Sequence, residues 1–307
     1  MHRIISLTFA PALDKSTSVP ALEPEKKLRC RSPKFDPGGG GVNVARALHR
    51  LGSNCMAVFP AGGHSGRYFC DLLEAEKIPF ESISCQESTR ENFIVLDESS
   101  GQQFRFGMPS PELTEIEYKA CLKKIQSMPK PEFLVVSGSW PGSIPLDFLD
   151  EIAAWASSQQ VKLIIDSSGA ALARALQLKT FLIKPNLGEL ASMIEKDWLT
   201  IEELPMICRE LLQANKQEYW VVSMGKEGAM LVSKSQHFTF KPPELERKST
   251  VGAGDSMVAG LIHGFSKEMP LPDILKFGIA CGTAATLHPG TELCQLKDVQ
   301  MILERMQ

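Results

Sequence analysis

An α/β fold is what this 307-residue sequence predicts: a mostly parallel central sheet with helices on both faces and a small extra β layer. Two observations carry that expectation. Short, continuously apolar runs (EFLVVSGS, KLIIDSS, TFLIKP, YWVVSMG) end at Ser, Gly or Pro and alternate with helix-period segments. Such runs mark strands buried on both faces, as in βα units. By contrast, segments 12–35 and 89–107 are polar or strictly alternating and fit no buried parallel strand.

In chain order, RIISLTFA is a strand and GVNVARALHRLG a helix ending at Gly52. CMAVFPAGG is a strand and turn, and GRYFCDLLEAEKI a helix. TRENFIVLDESSGQQFRFG reads as a half-exposed hairpin turning at Ser99–Gly101. The four apolar runs follow, with helical patterns PLDFLDEIAAWASSQQ, GAALARAL, LGELASMIEK and, later, DSMVAGLIHGF. There is no internal repeat or long linker. Residues 1–307 therefore form one α/β unit, with 12–35 and 89–107 as an inserted β lid.

Lys plus Arg number 33 and Asp plus Glu 36, a net charge of −3. This excludes a global basic coat for nucleic acid or an anionic membrane, while leaving room for a local phosphate pocket. Hydrophobic residues at 43% and charged residues at 22% exclude general disorder. The opening MHRIISLTFAPALDK is too short in apolar residues for a signal peptide, and no run reaches the ~20 of a membrane span. Cys30, Cys55, Cys70, Cys85, Cys121, Cys208, Cys281 and Cys294 form no CxxC pair and read as reduced, mostly buried thiols of a cytoplasmic protein. His2, His49, His64, His237 and His263 form no metal pair or triad and read as surface or packing residues.

Four motifs carry chemistry, at the strand ends where such sheets bind ligands. In STVGAGDSMVAG, Gly252, Ala253 and Gly254 leave helix N-terminal amides free for an anion, and Asp255 stands beside them as a candidate general base. That pairing suits phosphoryl transfer to an alcohol; the plainer reading of Asp255 is an N-cap. In DPGGGGVNVARAL, glycines including Gly39 let the backbone approach a ligand, and Asn43 aims an amide at a hydroxyl. A dinucleotide fingerprint is absent, because CRSPKFDP makes a poor central strand, which argues against a NAD-dependent dehydrogenase. In KPNLGEL, Asn186 and Glu189 share a helix face and fit the sparse protein ligation of Mg2+; a plain helix start is the alternative. In VVSMGKEG, Ser223, Gly225 and Gly228 cradle a phosphate or form an ordinary hairpin turn. Lys27, Arg90 and Arg105 lie in the lid segments, and Asp14 and Ser139 at strand ends.

With PGGGGVNVAR near one end and STVGAGDSM near the other, the chain resembles the phosphofructokinase B family of ribokinase-like carbohydrate kinases, from its first strand to about residue 295. LRCRSPKFDPGGGGVN, TREN, FRFGMP and IIDSSG make it similar to the ATP-dependent 6-phosphofructokinase branch. Relatives acting as 1-phosphofructokinases or tagatose-6-phosphate kinases tend to read GGKG where this chain has Gly40. The resemblance implies Asp255 as the base on the C1 hydroxyl of fructose 6-phosphate, with the amides of Gly252, Ala253 and Gly254 as the anion hole. It places Asp14, Gly39 and Asn43 on the sugar hydroxyls, and Lys27, Arg90, Arg105 and Ser139 around the sugar and its phosphate. It puts Lys184, Asn186, Ser223, Gly225, Gly228 and Thr283 on ATP, and Asn186 and Glu189 on Mg2+. It further implies a potassium site near the anion hole, a cytoplasmic enzyme and a homodimer formed through the lid. The loop His288-Pro289-Gly290-Thr291-Glu292 carries Glu292 where that branch is expected to have a basic residue. A non-catalytic nucleotide or sugar-phosphate sensor on the same scaffold is the alternative from another class; it would have no use for Asp255.

Overall fold

Residues 3–214, 216–288 and 290–306 are described by a computed structural model; His2 and Pro289, named above, lie outside them. In chain order the elements are β1 (Ile4–Leu7), β2 (Ala12–Val19), β3 (Lys34–Gly38), α1 (Gly40–Arg50), β4 (Cys55–Ala61), α2 (Gly63–Ala75), β5 (Phe80–Ser84), β6 (Arg90–Asp97), β7 (Gln103–Phe106), α3 (Glu115–Ser127), β8 (Phe133–Ser137), α4 (Asp147–Ser158), β9 (Lys162–Asp166), α5 (Gly169–Ala175), β10 (Leu182–Ile183), α6 (Leu187–Met193), α7 (Leu204–Ala214), β11 (Tyr219–Ser223), β12 (Ala229–Val232), β13 (His237–Phe240), α8 (Ala253–Ser266), α9 (Leu271–Thr286) and α10 (Leu296–Arg305).

Nine strands form the main sheet in the order β13-β12-β11-β10-β9-β8-β1-β4-β5. All neighbours from β11 to β5 are parallel, and β12 and β13 extend one edge as antiparallel strands. The apolar strands bury both faces because alternate side chains enter different cores. Phe133 and Val135 of β8 join α1, α2, α8, α9 and α10 on one side; Leu134 and Val136 join α3 to α7 on the other. The result is the three-layer α/β architecture that the apolar runs predict. A capping box at Thr114 and Glu117 starts α3, an element the strand-and-helix reading passes over along with β5, β13, α7, α9 and α10.

The second sheet has four strands in the order β3-β2-β6-β7. The hairpin expected over 89–107 is β6 and β7, paired antiparallel. The 12–35 segment differs in part: strands occupy only its ends, and residues 20–33 form a connection, since Pro20, Pro24 and Pro33 withhold ladder donors. Pro37 is tolerated in β3 because β3 is an edge strand. Register fixes which side chains share a face. Asp14 stands opposite Asp36 and Asn92; Lys15 stands opposite Phe35 and Phe93, and Phe93 opposite Phe106. The two rows point to opposite faces.

All eight cysteines are free thiols; five are buried, as the mostly buried reading expects, while Cys30 is exposed. Among the described residues, no helix is long and apolar enough to cross a membrane.

Candidate active site

Parallel strands put their carboxyl ends on one edge of the main sheet. There lie Ser137 closing β8, Asp166 closing β9, Lys184 after β10 and Ser223 closing β11. Helix α1 docks on this edge at backbone distance. A Cβ on Gly40 would stand 2.5 Å from the Gly138 nitrogen, and one on Gly41 2.3 Å from Thr8 Oγ1. Gly40 and Gly41 are thus also required by the protein's own packing, whatever else the glycine run serves. Gly39, with φ 102°, sets the turn that aims α1 inward.

Helix α8 starts at the same edge. Gly252 is its N-cap in the left-handed region, φ 73°, where a side chain would be strained. Asp255, in the first turn, is half-buried and accepts a hydrogen bond from Asn43 Nδ2 at 2.8 Å. Burial pushes its pKa up to about 7, helped by the Asp166 and Asp14 carboxylates and opposed by Asn43 and Lys184. A carboxyl poised near neutrality can exchange a proton with a hydroxyl. Asn43 Oδ1 is buried without a partner, an acceptor left for a substrate hydroxyl.

Lys184 is nearly fully buried and pairs with Asp166 Oδ1 at 3.0 Å. Burial alone would lower its pKa; the carboxylates of Asp166, Glu189 and Asp255 outweigh it and raise the value. A Cβ on Gly254 would stand 3.9 Å from Lys184 Nζ, so the ammonium lies beneath the amides of α8. Ser137 Oγ donates to Asp166 Oδ2 at 3.1 Å and fixes the other side of that carboxylate. Asn186 and Glu189 form a reciprocal capping box: the Asn186 amide donates to Glu189 Oε2, and the Glu189 amide to Asn186 Oδ1, each at 2.8 Å. The plain helix-start reading is therefore correct as far as it goes.

A cleft of about 270 Å³ opens beside these groups, lined by Asn186, Ser223, Gly225, Gly228, Ala253, Gly254 and Thr283, with Met257 and Ile279 as apolar wall. VVSMGKEG is both a hairpin turn, joining β11 to β12, and part of this cleft. Gly228, φ 89°, is obligatory, because its Cβ would stand 1.9 Å from the Phe240 carbonyl oxygen.

The matching profile is that of the pfkB family carbohydrate kinases, over residues 7–298. This chain belongs to the pfkB family. It is 39% identical over 303 residues to an ATP-dependent 6-phosphofructokinase isozyme 2 of Escherichia coli (strain K12), covering 98% of each. A 1-phosphofructokinase of Borreliella burgdorferi is 33% identical over 98% of this chain and 96% of that one. Escherichia coli phosphofructokinase-2 solved with fructose-6-phosphate superposes with a TM-score of 0.93 at 37% identity, covering 100% of this chain and 99% of the other; the same enzyme with potassium gives 0.95 at 39%, with the same coverage.

The small sheet of this pfkB chain hangs over the same edge. Asp14, from β2, is buried and accepts from Asn92 Nδ2 at 2.9 Å; burial raises its pKa, against Asn92 and Arg90. Arg105, in register with Ile94 on that face, donates to Thr250 Oγ1 at 3.2 Å, two residues before the α8 N-cap Gly252. Arg90 gives its two terminal nitrogens to the Met108 and Ala10 carbonyls, leaving Nε buried and unpartnered. Those two bonds brace the sheet against its neighbours. Lys27 lies exposed in the 20–33 connection, and the structure does not gather it with the rest; Ser139 is exposed directly after Gly138, whose nitrogen a Cβ on Gly40 would meet at 2.5 Å. Asp166, Asn92 and Thr250 belong to the cluster but went unnamed as site residues in the sequence. Each lies inside a quoted motif, and the signal available was position: strand end, strand register and helix approach.

The loop before α10 joins the pfkB site to the small sheet. Thr291 Oγ1 donates to Asp36 Oδ2 at 2.9 Å, and Glu292 faces Lys34 at 3.5 Å and His288 at 3.8 Å. Ser249 Oγ donates to the Gly290 carbonyl at 2.7 Å.

Proposed function

We propose that this chain is an ATP-dependent 6-phosphofructokinase, moving the γ-phosphoryl group of ATP to the C1 hydroxyl of fructose 6-phosphate. One observation carries the reading: a carboxyl with a pKa near 7 sits in the first turn of α8, whose amino end opens on a cleft of nucleotide-binding character. Asp255 takes the hydroxyl proton as the oxygen attacks phosphorus in line. The amides of Gly252, Ala253 and Gly254 receive the charge on the transferring group. Asn43 holds Asp255 with its amide nitrogen and offers Oδ1 to the sugar, alongside Asp14 and Gly39. Arg90 and Arg105, with Ser139, serve the 6-phosphate end. Asn186, Ser223, Gly225, Gly228 and Thr283 line the nucleotide side, with Lys184 beneath it.

Mg2+ fits the donor set sparingly. Glu189 Oε2 is held by the capping box, and Oε1 has no hydrogen-bond partner among the described residues. Glu189 and Asn186 would hold the ion mainly through water, and the ion when bound neutralises phosphate charge. Potassium beside the anion hole belongs to the same reading; Glu292, turned toward Lys34 and His288, is the feature peculiar to this chain.

The small sheet acts as a lid that excludes water and limits ATP hydrolysis. Its outer face carries Phe35, Lys15, Phe93 and Phe106, with Lys15 Nζ 5.1 and 5.7 Å from the Phe35 and Phe93 ring centres. An apolar face on a four-stranded sheet favours a homodimer that covers it. Light scattering that finds a monomer at working concentration counts against this. A tetrameric inhibited form of the Escherichia coli enzyme has been solved.

The deciding experiment follows ADP release with fructose 6-phosphate, tagatose 6-phosphate, fructose 1-phosphate and ribose. The highest kcat/KM for fructose 6-phosphate supports the proposal. Preference for fructose 1-phosphate or tagatose 6-phosphate reassigns the substrate, and tight binding without turnover makes the chain a sensor.

A further inference from the structure

The cleft beside α8 is almost devoid of charge, which is unusual for a site that takes a polyphosphate. Among its described lining residues, Arg247 alone carries a charged side chain. None of the other cations nearby is among the described residues that line it; Lys226, inside the Gly225–Gly228 turn, and Lys248, next to Arg247, are exposed without lining the cleft. Lys184 is buried against Asp166 at 3.0 Å, Lys241 pairs with Glu227, and Arg105 spends its guanidinium on Gln103 and Thr250. Arg247 is exposed, and no hydrogen bond or ion pair engages its guanidinium among the described residues. It sits three residues before Thr250, on the strand-free connection that leads into the anion hole.

We propose that Arg247 is the phosphate clamp of the nucleotide site: its free guanidinium closes on the polyphosphate of the bound nucleoside triphosphate. This rests on the proposed kinase reading and names a residue for it. A guanidinium presents a planar fork of donors matched to phosphate oxygens, and it cannot be neutralised at physiological pH. The turn at Gly225–Gly228 and the amides at Ala253 and Gly254 supply hydrogen bonds without full charge. ATP carries several negative charges, so one mobile cation at the rim balances what the backbone leaves. Because Arg247 is unpaired beforehand, no ion pair of the free protein has to break when the nucleotide binds.

The test compares calorimetric binding of adenosine, ADP and ATP, with Mg2+, to the wild-type protein, Arg247→Ala and Arg247→Lys. The clamp requires Arg247→Ala to weaken ATP on the order of tenfold or more and to leave adenosine unchanged. Arg247→Lys recovers part of the loss, because it restores charge without the fork. In turnover, KM for ATP rises while KM for the sugar phosphate stays put. Equal losses for adenosine and ATP would mean that Arg247 stacks on the base, and unchanged ATP affinity would make it a bystander; either overturns the clamp. Wild-type protein that binds no ATP at all refutes the kinase reading itself, a result distinct from both. Arg247 lies on the surface, so these variants should fold; matching thermal melts check that.

Discussion

Asn43 Nδ2 donates to Asp255 Oδ2 at 2.8 Å, across 212 residues of sequence. That one contact joins the amino ends of α1 and α8 at the carboxyl edge of the sheet. It holds the carboxylate in place while leaving Asn43 Oδ1 free for a substrate hydroxyl.

Asp255→Asn keeps the shape and the acceptor for Asn43 and removes the base. General bases contribute roughly 10²–10⁴ in rate. Steady-state ADP release should show kcat down by at least that factor with KM for ATP nearly unchanged. A loss below tenfold would reduce Asp255 to a helix cap.

The pKa of Asp255 near 7 sets a pH dependence. Only the deprotonated form accepts a proton, so kcat/KM should rise with pH and reach half its plateau near pH 7. Stability runs the other way. The native state holds this proton more tightly than the unfolded chain, whose value is near 3.8. The contribution is therefore fully present at low pH and is lost as pH rises through about 7. In thermal melts, the Tm gain of Asp255→Asn over wild type should grow between pH 4 and 7 and then level off.

Breaking the Asp166–Lys184 pair leaves a cation stranded in the interior. Asp166→Asn should cost about 3–5 kcal/mol in denaturant unfolding. The double variant Asp166→Asn, Lys184→Met should regain part of it. A double variant no more stable than Asp166→Asn alone would show that the pair is not the cause.

Gly252→Ala tests the helix cap. With φ at 73° and a Cβ position 2.6 Å from Leu293 Cδ2, alanine is both strained and crowded. The expected cost is about 1–3 kcal/mol, with a fall in kcat as the anion-hole amides shift. Adding Leu293→Ala relieves the crowding and leaves the backbone strain, so a full recovery of activity would assign the effect to packing alone.

Much of the architecture was legible because burial on both faces demands unbroken apolar strands, and β1, β8, β9 and β11 have them. The 89–107 hairpin was equally plain, since half-exposed strands alternate. The 12–35 segment was not, because its prolines and charges specify where pairing fails and leave open which partner β2 takes. Parallel pairing of β2 with β6 joins residues some 78 positions apart, and local pattern carries no trace of that.

By itself, the sequence determined the layered α/β class, the loops that end its strands and the carboxylate at the start of α8, because these follow from hydrophobic period and from the small residues that helix starts require. Tertiary structure alone decided that Asn43 grips Asp255, that Asp166 restrains Lys184, that Arg90 braces backbone carbonyls and that Lys27 stands apart. Those outcomes depend on desolvation and on distances between segments far apart in the chain, which no local spacing encodes.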